Sequence, residues 1–308
     1  MDDSERLALV FERHRPHLRA VAYRMLGSLT EADDAVQETW VRLSRSGAAD
    51  VENPGGWLTT IVARVCLNML RSRNHRREEP LAVHLPDPVV SPEAEIQPEE
   101  QAVLADSVGL ALLVVLDTLT PDERLAFVLH DLFELPFKDI ARVVGRTPAA
   151  AKQLASRARR RVRDAEIPAD PDLARQREVV DAFFAATRRG DFDSLVAVLH
   201  PDVLLRVDGG AEYPEATMLF RGSAAVARQA ARGLRHLLGR PPVGLRQVLV
   251  YGSAGVLVTL DGQPITVMSF TVAECRIAQI AGIADPGRVR RIAAAVLTAG
   301  PVSANGSG

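Results

Sequence analysis

Residues 137–163 read FKDIARVVGRTPAAAKQLASRARRRVR. Ala141 stands four residues before Gly145. The small alanine lets a second helix approach closely, and the glycine suits a left-handed turn between two helices. Thr147 is placed to cap the second helix, and Pro148 takes its first position, where a missing N–H costs nothing. From there Ala151, Leu154, Ala158 and Val162 form one inward stripe. Lys152, Gln153, Ser156, Arg157, Arg160 and Arg163 lie outside it. The pattern is a helix-turn-helix whose second helix suits the major groove of DNA, with small polar and cationic groups in front and phosphate-binding arginines behind. The charge agrees: nine Lys or Arg fall between Lys138 and Arg163 against one acid, Asp139.

Upstream, residues 102–166 read as helical throughout. Residues 76–101, REEPLAVHLPDPVVSPEAEIQPEEQA, are rich in Pro and Glu, lack helical periodicity and read as an acidic linker. Residues 1–75 are helical again. In TEADDAVQETWVRLSR (30–45), Thr30 is expected as the N-cap with Asp33 completing a box-like start. Val36, Trp40 and Leu43 make its buried stripe, and Asp33, Asp34, Gln37 and Glu38 its polar face. After Pro54-Gly55-Gly56, the segment WLTTIVARVCLNMLRSRNHRR carries a core stripe of Leu58, Ile61, Val65, Leu67, Met69 and Leu70. Its end is basic, with Arg64, Arg71, Arg73, Arg76 and Arg77.

Downstream, Pro168 and Pro171 mark a joint, and residues 172–295 read as α+β. Helices REVVDAFFAATRRG and FDSLVAVLH precede strands at VLLRV, LRQVLVYG, GVLVTLDG, PITVMSFTV and CRIAQIAGI, with the helix SAAVARQAARGLRHL after the first strand. A few helices against a curved antiparallel sheet would leave a cone-shaped cavity, open to an unidentified small ligand. Residues 296–308 are small and polar and read as a disordered tail.

The whole chain of 308 residues carries a net charge of −2, which averages the basic block with an acidic one between Glu78 and Asp106. Two distant cysteines, Cys66 and Cys275, offer no disulfide framework and no metal-ligand spacing. No stretch approaches the roughly 18 apolar residues of a membrane span. The charged N-terminus has no apolar signal core. These features predict a cytoplasmic protein with no membrane, metal or cofactor.

Two blocks carry a family resemblance. YRMLGSLTEADDAVQETWVRL with GGWLTTIVARVCLNMLRSR resembles the region of extracytoplasmic-function (ECF) sigma factors that binds RNA polymerase and reads the promoter −10 element. LTPDERLAFVLHDLFELPFKDIARVVGRTPAAAKQLASRARRRVR resembles their −35-reading domain. The last part, above all GDFDSLVAVLHPDVLLRVDGG, is similar to a SnoaL-like domain, as in the SigJ-like subfamily, where that domain serves as a built-in regulator.

The resemblance implies two all-α sigma domains, region 2 at 1–75 and region 4 at 102–166, followed by an α+β SnoaL-like domain at 172–295. It implies core RNA polymerase and promoter DNA as partners, and no enzymatic activity. Asp33, Asp34, Gln37, Glu38 and Arg42 would bind core polymerase. Trp57, Arg64, Asn68, Arg71 and Arg73 would open and hold the −10 element. Arg146, Thr147, Lys152, Gln153, Ser156, Arg157 and Arg160 would read the −35 element. Three subfamily motifs have diverged counterparts at His84-Leu85-Pro86-Asp87-Pro88, Asp208-Gly209-Gly210-Ala211-Glu212 and Asp285-Pro286-Gly287-Arg288-Val289. Within them, Pro86, Asp87, Pro88, Asp208, Gly209, Gly210, Asp285 and Pro286 are the expected regulatory contacts between domains.

Two other readings stay open on the residues alone. One is a ligand-responsive helix-turn-helix regulator that does not bind polymerase. The other is a cyclase or isomerase fused to a DNA-binding domain, with Asp208, His200, Tyr213 and Asp261 as candidate catalytic groups.

Overall fold

The computed structural model describes residues 3–46, 53–76, 85–92, 110–165, 169–234 and 243–297. The chain divides into two compact units. The helical unit comprises 1–80 with 98–166, and the second unit comprises 81–97 with 167–308. The segment read as a free linker therefore belongs mostly to the second unit. Of the acidic run between Glu78 and Asp106, only Asp87 falls among the described residues. The expected tail at 296–308 also falls outside them, except that 296 and 297 end the last helix and Val296 is buried in the core rather than disordered.

The helical unit begins with α1 (Asp3–Leu26), α2 (Leu29–Ser46) and α3 (Pro54–Arg76). Phe11, Leu18, Val21, Met25, Val36, Leu43, Leu58, Val62 and Leu67 are buried among them. Trp40 is half-buried, its ring 5.1 Å from that of Phe11. The cap of α2 differs from expectation. Gly27, at φ +73°, ends α1, so the next helix starts at once, and the Ser28 hydroxyl accepts from the Glu31 N–H. Thr30 then lies inside the first turn rather than at its edge.

α4 (Leu110–Asp117) follows, then α5 (Pro121–Phe127), which continues through one wide turn, Val128–Leu132. The hydroxyl of Thr120 and the carboxylate of Glu123 close a capping box on α5. The helix-turn-helix is α6 (Phe137–Val144) and α7 (Pro148–Ala165). Gly145 sits at φ 70°, ψ 40°, the left-handed conformation anticipated for it. The Thr147 hydroxyl accepts from the Ala150 N–H at 3.2 Å, so the predicted cap forms.

The second unit has α8 (Leu173–Arg189), α9 (Phe192–Val198), α10 (Ser223–Gln229) and α11 (Pro286–Leu297). Its strands are β1 (Val90–Pro92), β2 (Leu199–Asp208), β3 (Met218–Arg221), β4 (Val243–Val250), β5 (Ser253–Leu260), β6 (Gln263–Ala273) and β7 (Arg276–Ile283). They form one sheet in the order β1-β4-β5-β6-β7-β2-β3. Phe183 and Phe184 of α8 meet Phe270 of β6 with ring centroids 6.0 and 5.9 Å apart, at the centre of the core.

The expected antiparallel sheet is in fact mixed, because β2 pairs with β7 in parallel. Two strands were not read from the sequence. β3 is four residues long. β1 comes from the acidic segment and pairs at the sheet edge, where Pro92 lacks a ladder N–H at no cost.

Candidate functional site

On α7, Ala151, Leu154 and Ala158 of the expected inward stripe are buried, and Val162 at its end is half-buried. Lys152, Gln153, Ser156, Arg157 and Arg160 are exposed along the opposite side, and Arg146 and Thr147 are exposed at its start. Arg157 leans back onto buried Glu123 of α5 at 3.1 Å, and Arg161 reaches the other oxygen of that carboxylate at 2.9 Å. These pairs fix the direction of α7 over α5 while leaving about half of each arginine in water. Lys152 and Gln153 stand forward of them.

On α2, Asp33, Asp34, Gln37 and Glu38 form an exposed polar face. Asp33 holds Arg19 of α1 at 2.6 Å, and Glu38 holds Arg42 one turn on at 2.9 Å. Exposed pairs of this kind contribute about 0–1 kcal/mol each, so the face remains free to exchange partners. On α3, Arg64, Asn68 and Arg71 are exposed. Trp57 is half-buried and shares a cleft with Arg42, Thr60, Ile61, Arg64, Asp139 and Arg142. Arg73 is held structurally, bonded to Glu31 of α2 and to the Leu26 carbonyl that ends α1.

The three diverged motifs converge within the second unit. Arg288, near the start of α11, donates Nε to Asp87 Oδ1 at 2.6 Å and Nη1 to Asp208 Oδ2 at 2.7 Å. Its Nη2 donates to the Leu85 carbonyl. Asp208 also accepts from the Leu85 N–H at 2.9 Å and from the Gly210 N–H at 3.0 Å. The Tyr251 hydroxyl donates to the Asp87 carbonyl at 2.8 Å, and the Tyr251 N–H bonds the Val89 carbonyl at 3.0 Å.

Residues 85–91 are all buried. Burial opposes the charge on Arg288, but Asp87 and Asp208 outweigh it and hold the guanidinium above its ordinary value. Asp285 caps α11 through the Arg288 N–H at 2.7 Å, and Pro286 follows as its first residue. Gly210, at φ +70°, has no room for a side chain, since a Cβ would fall 2.1 Å from the Asp285 carboxylate. At Gly209 a Cβ would fall 2.0 Å from the Tyr213 carbonyl. Pro86 and Pro88 flank Asp87 and stiffen the docked peptide.

A separate cavity of about 270 Å³ lies between the sheet and the helices α8 and α10. Its lining is apolar, with Phe183, Leu205, Met218, Met268 and Ile280 among it, and Gln229 and Thr266 are its polar side chains. The groups weighed as catalytic do not gather there. Asp208 is turned to the docked peptide, His200 accepts from the Asp202 N–H, and Tyr213 is exposed. Asp261 sits in the β5–β6 turn at φ 51°.

Comparison with known proteins places these features in a family. The sigma-70 region 2 family matches residues 10–76, and the sigma-70 region 4 family matches 109–162. ECF RNA polymerase sigma factor SigJ of Mycobacterium tuberculosis is 40% identical over 288 residues, covering 90% of this chain and 91% of its own. The chain belongs to the ECF RNA polymerase sigma factors. A probable ECF sigma factor, SigI, from the same species is 38% identical over 68% of this chain and 72% of its own. The crystal structure of the M. tuberculosis sigma factor SigJ superposes with a TM-score of 0.70 at 35% identity, covering 90% of this chain and 96% of that one. This sigma factor therefore carries region 2 and region 4 as all-α domains, followed by an α+β domain. Among its described residues, no helix is long and apolar enough to cross a membrane.

Sequence reading missed several residues of this sigma factor's sites. Arg288 lay within a quoted motif without being assigned a role. Tyr251 carried no local signal, because its partner is 164 positions away.

Proposed function

We propose that this sigma factor binds core RNA polymerase through the α2 face of Asp33, Asp34, Gln37, Glu38 and Arg42 and directs initiation at selected promoters. The α3 residues Trp57, Arg64, Asn68 and Arg71 open the −10 element, with Arg73 bracing that helix. The helix-turn-helix residues Arg146, Thr147, Lys152, Gln153, Ser156, Arg157 and Arg160 read the −35 element. The work is done in the cytoplasm, where the polymerase and promoter DNA are.

The SnoaL-like domain regulates this activity by gripping the peptide that joins regions 2 and 4. The observation that carries this reading is the burial of residues 85–91, with Arg288 and Asp208 of that domain bonded to Leu85 and Asp87. A grip on the connecting peptide limits where the two DNA-reading domains can go, and an intramolecular contact needs little affinity because its effective concentration is high. Pro86 and Pro88 reduce the entropy that docking must overcome.

The test is transcription from a matched promoter by purified core polymerase with the full chain and with a chain ending at Asp285. The shortened chain lacks Arg288 and should transcribe more. Equal activity would remove the regulatory role.

The apolar cavity supports a second element, a small neutral ligand that adjusts the grip. Val207 and Ala284 line the cavity, and each directly precedes a residue of the grip, Asp208 and Asp285. An enzymatic reading lacks an acid or base there, since the polar side chains of the lining are Gln229 and Thr266.

A further inference from the structure

β3 closes one end of the sheet, with no described strand beyond it. The Gly222 N–H bonds the Val203 carbonyl at 2.8 Å, so these two form a hydrogen-bonded pair. Pairing alternates along an antiparallel ladder, and the N–H and C=O groups of Leu219 and Arg221 therefore point away from β2. Such an edge is a ready template for one more strand. Its side chains divide between two faces. Phe220 turns to the core with Leu205, its partner on β2, and Met218 lines the cavity. Leu219 and Arg221 turn to the opposite face, where their partners are Arg206 and Leu204. Leu219 is 49% exposed.

That face lacks acids where it has cations. Arg206 is half-buried, and among the described residues neither it nor Arg221 has a hydrogen bond or ion pair. Burial, and after it repulsion from Arg221, opposes the charge on Arg206. The two residues are diagonal neighbours on the β2–β3 ladder, with backbones about 7–8 Å apart. A partly desolvated cation without a partner is costly, and a carboxylate brought from outside would relieve it.

The sequence contains a segment that fits. Directly after β1, Glu93-Ala94-Glu95-Ile96-Gln97 alternates in the strand period, with Glu93 and Glu95 on one side and Ala94 and Ile96 on the other. Laid along β3, it would set carboxylates on the face of Arg206 and Arg221, and Ala94 and Ile96 beside half-buried Phe220 and Met218. Its own chain does not bring it there. β1 and β3 are opposite ends of the seven-stranded sheet. Six strand spacings separate them, roughly 29 Å along the sheet. The chain from Pro92 to Glu95 spans about 10 Å at most. We propose that β3 is a self-association surface, on which Glu93–Gln97 of a second copy adds a strand and pairs its glutamates with Arg206 and Arg221.

An exchange of segments between two copies satisfies both faces at once. It holds the stretch just beyond the gripped peptide, and it grows with the concentration of the chain. The proposal stands whether or not the grip regulates transcription.

The experiment is sedimentation equilibrium of the full chain over a range of concentrations, with reductant present because Cys275 is exposed. The mass should rise toward that of a dimer. Arg206→Glu with Arg221→Glu, and separately Glu93→Arg with Glu95→Arg, should each weaken association at least tenfold, since like charges then face each other. An equimolar mixture of these two variants should regain it, because each charged segment then meets the opposite face. Arg276→Glu makes the same change at an exposed residue of β7 and should have no effect. Circular dichroism confirms that each variant is folded. A peptide of residues 90–97 gives a second measurement that needs no variant chain. It should dissociate the wild-type dimer and protect the Leu219 and Arg221 N–H groups from exchange. The same peptide with Glu93→Gln and Glu95→Gln should do so at least tenfold more weakly.

A wild type that stays monomeric up to about 0.5 mM overturns the proposal. Folded variants that associate as the wild type does, or a mixture of folded variants that regains nothing, overturn it as well. So does a reversal at Arg206 and Arg221 that leaves the mass unchanged and weakens promoter binding instead, since the two arginines would then be a phosphate contact.

Discussion

Replacing Arg288 by Ala tests the grip on the connecting peptide at its centre. The guanidinium is 13% exposed, and its partners Asp87 and Asp208 are 6% and 4% exposed. Its loss leaves two carboxylates facing each other out of water. Removing one partner of a buried pair costs about 3–5 kcal/mol, chiefly because the remaining charge is stranded. Asp208 keeps its bonds to the Leu85 and Gly210 N–H groups. The cheapest relief is to undock residues 85–91 and hydrate Asp87.

Amide hydrogen exchange reads that undocking at Leu85, whose N–H is held by Asp208, and at Tyr251, whose N–H is held by the Val89 carbonyl. Protection at both should fall together by roughly a hundredfold to a few thousandfold, at about 1.4 kcal/mol per factor of ten. Protection in the α8 core should stay near wild type. A double-mutant cycle with Asp87→Ala should show coupling of about 1–3 kcal/mol. Additive effects within about 0.5 kcal/mol, or unchanged exchange at Leu85, would refute the reasoning.

Charge reversal at Asp34 and Glu38 should weaken binding to core polymerase at least tenfold while moving the melting midpoint little, because exposed charges cost little stability; a pull-down with the folded double variant checks this. Lys152→Ala with Arg157→Ala should weaken promoter binding and lower the slope of log K against log salt by about one per lost phosphate contact, read by titration at several salt concentrations. Burial holds His17 below its ordinary value, with His14 and Arg24 adding to the effect, so the folded chain favours the neutral ring. The unfolded chain then binds the proton more readily, and stability is lost as pH falls from 6.5 through the lowered folded value. Urea midpoints at pH 7.5 and 5.5 should differ more for wild type than for folded His17→Gln.

The helix-turn-helix was legible because its signals are local. Gly145 needs its left-handed turn, Thr147 caps within three residues, and the Ala151–Val162 stripe has helical period. The cap at Ser28 was not legible, since it depends on where Gly27 ends the preceding helix. β1 was hidden for a different reason. Val90–Pro92 is too short and too proline-rich to signal a strand, and its pairing to β4 spans 160 positions. Separation in sequence also concealed the role of Arg288, whose partners Asp87 and Asp208 are 201 and 80 positions away. A lone arginine at a helix start looks like solvated charge until the fold brings Asp87 and Asp208 to it. The acids of α2 were legible as a face, but not the partner of Asp33, because Arg19 comes from another helix. Arg73, read as a DNA contact, is bonded to Glu31 and to the carbonyl that ends α1, which periodicity does not reveal.

The central claim is that this chain gives core RNA polymerase its promoter choice. Purified core polymerase and a library of randomised upstream sequences test it directly, with transcripts sequenced from reactions with and without the chain. The account predicts that the chain enriches templates sharing two short elements near −35 and −10, and that the −35 enrichment relaxes at one position when Lys152 or Gln153 is replaced. The same template distribution with and without the chain would contradict it.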